Sequence, residues 1–150
     1  MIRHSISIVI LLAAGLSASA KQQSLDQLKA EAEKANGGHQ AQLYGQLAEL
    51  TVEVADQQFT QGDSVQGQET VKQVLEYATR AHDISLEKHK KMKEIEIHLR
   101  ETQRRLESVR RTLAADDRPA LEEVEKKLAD FRQDLLNAMF APKKKKEENK

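Results

Sequence analysis

Apolar positions recur along this chain every three or four residues, and the recurrence divides it into helices. The longest series is Val71, Val74, Ala78, Ala81, Ser85, Lys88, Met92, Ile95, Leu99, Thr102, Leu106, Val109 and Leu113. It advances by three, four, three, four without a slip. That spacing keeps one stripe of an α-helix against a partner, as in coiled coils. It predicts a helix over about residues 64–113, ~75 Å long at 1.5 Å per residue. The seam is weakest at Ser85 and Lys88, where Ile84 and Leu86 fall off the stripe, so a bend or break is expected there. A second stripe, Leu121, Val124, Leu128, Phe131, Leu135 and Ala138, predicts a helix over 118–140. Asp116, Asp117 and Pro119 suit its N-terminus, because acids favour the positive end of the helix dipole and proline fits the first turn.

Upstream, residues 39–61 carry two adjacent apolar rows. One is Leu43, Leu47, Leu50 and Val54; the other is Tyr44, Ala48, Thr51, Ala55 and Phe59. A face that wide implies contact with more than one helix. Residues 24–35 show a thinner stripe of Leu25, Leu28, Ala32 and Ala35. Ser24 and Gln27 form a capping box before it, and Asn36-Gly37-Gly38 stops it. Gly62-Asp63 separates the second and third helices. Short turns make consecutive helices antiparallel neighbours. The expected fold is all-α, with elongated antiparallel hairpins sharing one long central helix. The second helix lies along its first half with the first helix beside it, and the last helix along its second half. A compact four-helix bundle broken near Ser85 is the alternative. In the elongated form the two-helix end leaves Ile97 and Leu136 off the seam, where a second copy or a protein partner would cover them.

The stretches LYGQLAEL and TVKQVLEYATRA loosely resemble a tetratricopeptide hairpin over about 40 residues. Ala48 stands where that repeat usually has glycine, and Tyr77 and Ala81 stand near its aromatic and alanine positions. The helices are longer than the repeat, and neither a second copy nor the terminal proline follows.

The first 20 residues, MIRHSISIVILLAAGLSASA, follow a different pattern. Arg3 and His4 precede an apolar run, Ile6–Leu16, and Ala18-Ser19-Ala20 offers a small-x-small cleavage site. That order predicts an export signal cleaved after Ala20. The run is too short to span ~30 Å of hydrocarbon. A periplasmic or secreted location follows, with a single helical domain over 21–141 and a disordered Lys-rich tail over 142–150.

Charge sharpens the picture chiefly by exclusion. There are 24 Lys+Arg and 24 Asp+Glu. This balance gives no overall pull toward nucleic acid. Basic residues in the long helix are interleaved with acids, as in Glu94/His98, Glu101/Arg105 and Glu107/Arg111, a spacing that pairs them along one helix. Lys143, Lys144, Lys145 and Lys146 form the one concentrated positive patch, able to touch an anionic surface. The absence of cysteine leaves stability to packing, metal or a partner.

No catalytic constellation is visible. Gly62-Asp63-Ser64 fits a helix stop and cap better than a nucleophile turn, because no strand precedes it. The antiparallel turn brings His39 near His89. His82 lies two turns before His89 on one face, ~10 Å away along the axis. With His39, His82 and His89, a divalent transition-metal site is one reading. The reading preferred on sequence is an exported, non-enzymatic helical protein acting through protein–protein interaction or self-assembly in the bacterial envelope. A metal-binding envelope protein and a periplasmic holdase-like chaperone are the alternatives.

Overall fold

The computed structural model describes residues 13–142, with side chains from residue 22. Most of the predicted export signal, and Lys143–Lys146, therefore lie outside the described residues. Among the described residues five α-helices follow one another: α1 (Ala13–Lys34), α2 (Gly37–Thr60), α3 (Ser64–Lys88), α4 (Met92–Thr112) and α5 (Arg118–Phe140). A 3-10 turn, Ala115–Asp117, leads into α5. No strand occurs among the described residues.

The helix boundaries have local causes. Gly37 and Gly62 take φ of 58° and 82°, left-handed values that glycine adopts freely. Asp63 caps α3, its Oδ1 accepting from the Gln66 backbone N–H at 3.1 Å. Pro119 occupies the first turn of α5. Ser24, expected to open the first helix, lies inside α1, which begins at Ala13.

The expected continuous helix over 64–113 does not form. It breaks at His89–Lys91, slightly beyond the weak point at Ser85. His89 and Lys91 adopt left-handed φ of 50° and 61°. Ser85 fastens this turn. Its hydroxyl donates to the Lys90 carbonyl at 2.6 Å, and its own carbonyl accepts from the Lys90 N–H at 3.2 Å. Ser85 is thus fully buried at the break, while Lys88 turns to solvent.

The break folds the chain into two antiparallel hairpins, α2/α3 and α4/α5, stacked on each other. α2 runs parallel to α4: Gly38 lies against Lys90 and Lys91, Gly45 against the His98 ring, and Glu53 meets Arg105 at 2.9 Å. α3 runs parallel to α5: Ser64 donates to Asp117 at 2.9 Å near one end, and His82 stacks on Phe131 at 4.4 Å toward the other. The compact four-helix arrangement is the one formed, and no isolated two-helix end remains. Seam residues Val71, Val74, Ala78, Ala81, Ile95, Leu99, Thr102, Leu106 and Val109 are buried, as are Leu121, Val124, Leu128 and Leu135 of α5. α1 packs along α2, held by the Gln40 amide donating to the Ala32 carbonyl at 3.0 Å. Ala32 is the one described side chain of α1 that is fully buried.

Candidate functional site

Because α2 and α4 run parallel, their N-termini meet at one end of the bundle, beside the α3–α4 turn. A shallow depression there is lined by Asn36, Gly37, Gly38, His39, His89, Lys90 and Lys91. The predicted approach of His39 to His89 is realised at its rim. Both residues are exposed, and His39 lies 3.7 Å from Glu31. Neither helix start is closed by a side chain: Asn36 and Lys91, the N-cap residues, make no side-chain cap hydrogen bond. The C-terminus of α5 reaches the same end and presents Phe140, which is 81% exposed.

His82 is not part of this depression. It is buried between α3 and α5, with Nδ1 2.8 Å from Asp83 Oδ1. Nε2 is 3.4 Å from Asp134 Oδ2, near enough for an ion pair but without hydrogen-bond alignment. His39, His82 and His89 do not form a metal-holding group. Among the described residues no three or more His, Cys, Asp or Glu side chains are placed to do so.

The charges of the α3–α4 region do more than pair along one helix. Arg105 reaches Glu49 at 3.0 Å and Glu53 at 2.9 Å on α2, besides Glu101 at 3.3 Å on α4. His98 pairs with Glu49 at 3.0 Å rather than with Glu94, which meets Lys91. Hydrogen bonds from Arg104 and Arg105 hold the Glu101 carboxyl far below its usual range, at about 2. On the α4/α5 seam Arg132 meets the buried Glu96 at 3.0 Å, and Arg110 meets Glu125 at 2.9 Å. These networks tie helices together.

A cleft of about 190 Å³ lies between α1 and the α2/α3 hairpin, bordered by Gln58, Gln66, Thr70, Gln73 and Tyr77. Burial pushes the Tyr77 hydroxyl above its ordinary pKa, with Lys29 of α1 opposing. Of the predicted interaction residues, Ile97 is 43% exposed and Leu136 is half-buried. The sequence reading overlooked Phe140, the last residue of α5, which lies off the apolar stripe that ends at Ala138. No helix among the described residues is long and apolar enough to cross a membrane. No protein-family model, curated protein or solved structure matches the chain.

Proposed function

We propose that this is an exported, non-enzymatic protein that works by binding a protein partner or itself through the bundle end carrying Phe140. One observation carries the reading. Of five aromatic residues, Tyr44 and Tyr77 are buried and Phe59 and Phe131 pack against the core, whereas Phe140 projects into solvent. Aromatic residues, phenylalanine among them, are enriched at the cores of protein interfaces. The residues after it, Lys143–Lys146, add positive charge in sequence. An acidic, apolar-pocketed partner surface complements that pairing.

The test is capture from envelope extract on the chain beginning at Lys21, alongside Phe140→Ser. The expected result is a partner, or a self-associated mass by light scattering, that the variant loses while its melting temperature is unchanged. An identical captured set and identical mass for both proteins would overturn the reading. A divalent-metal reading has narrower support, the shared rim position of His39 and His89. Added zinc or copper raising the melting temperature, with the rise lost in His39→Ala, would favour it.

A further inference from the structure

The α3–α4 turn is built from residues that do not prefer it. His89 and Lys91 are the described non-glycine residues with positive φ. Left-handed backbone disfavours such residues by about tenfold each relative to right-handed helix. Both side chains are exposed, and the turn rests on α2 through the Lys90 and Lys91 stems against Gly38. The surrounding sequence is written for continuous helix: no glycine or proline occurs from Gln68 to Arg118, and the heptad seam runs through the turn in register.

We propose that α3 and α4 also join as one helix over 64–112, exchanging the α4/α5 hairpin between two copies of this chain. The occupant is a second copy because of how the hairpins meet. The parallel seams α2/α4 and α3/α5 are formed between the hairpins, and the covalent link is the three-residue turn. A partner's hairpin therefore supplies the same Glu49–Arg105, Glu53–Arg105, Ser64–Asp117 and His82–Phe131 contacts. Opening gives up the two Ser85–Lys90 hydrogen bonds and the His89 N–H bond to the Leu86 carbonyl. It gains two residues returned to helical geometry and a continuous backbone ladder. Short, strained hinges favour this kind of exchange. The exchange is independent of the Phe140 surface.

The absence of cysteine permits clean paired labelling. Spin labels at Val65→Cys and Thr112→Cys lie at the same end of the closed bundle, but ~70 Å apart along a continuous helix. Labelled chain is diluted into excess unlabelled chain, refolded at high concentration, and fractionated by mass. The expected result is a dimer fraction in which the long intrachain distance appears, beside a monomer with the short one. His89→Gly with Lys91→Gly should lower the dimer fraction about tenfold or more. Ser85→Ala, which removes the fastening hydroxyl and favours helix, should raise it. Overturning results are a single-chain mass throughout, a dimer that keeps the short distance, or a long-distance dimer whose fraction neither hinge variant moves in the stated direction.

Discussion

Helix α2 buries ten of its residues and α5 four, although their lengths are 24 and 23 residues. The two hairpins differ accordingly. The α2/α3 hairpin is covered by α1 on one side and by α4/α5 on the other. Its inner surface is tight and small-featured, with Ala41, Ala48, Ala55, Ala78 and Ala81 buried beside stacked Tyr44 and Tyr77. The α4/α5 hairpin has one covered face. Ile95, Leu99, Leu106, Leu121, Leu128 and Leu135 form that face. Its other seam is polar: Glu96, Gln103 and Arg110, seven residues apart, meet Arg132 and Glu125 of α5. In stacked helical hairpins an end unit has no further neighbour, so its outer side must suit water. The ion pairs of α4/α5 close the stack, while the alanines of α2/α3 allow close approach within it.

That contrast can be broken at several points. The largest effect is expected from Leu128→Ala, a fully buried side chain of α5. It should cost about 2–5 kcal/mol by denaturant unfolding. Native-state hydrogen exchange should then show α4 and α5 amides opening before those of α2 and α3, the order expected of a unit covered on one face. Equal protection of all four helices would contradict the asymmetry.

Next is Arg132→Ala, which leaves the buried Glu96 carboxylate with Arg100 at 3.8 Å. A loss of about 1–3 kcal/mol is expected. The double change Glu96→Met with Arg132→Leu should restore most of it, because removing both partners leaves no unpaired charge. Gly45→Val tests the inter-hairpin approach. A Cβ there meets the His98 ring at 3.1 Å. Crowding of His98 and its Glu49 pair should cost about 1–3 kcal/mol in the same unfolding measurement.

The smallest effect concerns Glu101. Its carboxyl is held at about 2 in the folded chain, against an ordinary value of 4.5. A folded value below the unfolded one means that the stabilisation is present above pH 4.5 and is lost as pH falls toward 2. Because the group is partly open to solvent, where ion pairs are screened, Glu101→Gln should scarcely change melting at neutral pH. It should slightly flatten the acid limb of a stability–pH curve, and a large neutral-pH change would show that the Arg105 network depends on Glu101.

Much of this architecture was legible in spacing alone. The α5 stripe, the Gly62-Asp63 turn and the buried seam follow from apolar periodicity, because burial on one helix face is a local pattern. The position of the break was less legible. Ser85 and Lys88 marked the weak stretch, but no glycine or asparagine advertises a left-handed turn at His89 and Lys91. The stacking of the hairpins was legible only as the alternative of a compact four-helix bundle, because its signals are distant in sequence. Gly38, Gly45 and Val52 recur every seven residues on a third face of α2, and that row is the trace of the α4 approach. Glu101 and Arg105 announced a pair by their spacing, whereas Glu49 and Glu53 could be matched to Arg105 only once α2 and α4 were known to be neighbours. The meeting of His39 with His89 followed from hairpin geometry across one turn. His82 did not follow, since its surroundings come from α5.

The stacked Tyr44–Tyr77 pair has a spectroscopic consequence. The chain has no tryptophan, and these are its two tyrosines, one on α2 and the other on α3. Tyrosine fluorescence therefore reports on the first hairpin alone, whereas far-ultraviolet circular dichroism sums every helix. The second hairpin carries no tyrosine or tryptophan emission. If α4/α5 melts ahead of α2/α3, the dichroism transition begins while the emission is still native, and the gap between the two curves measures the cooperativity between the hairpins without any label.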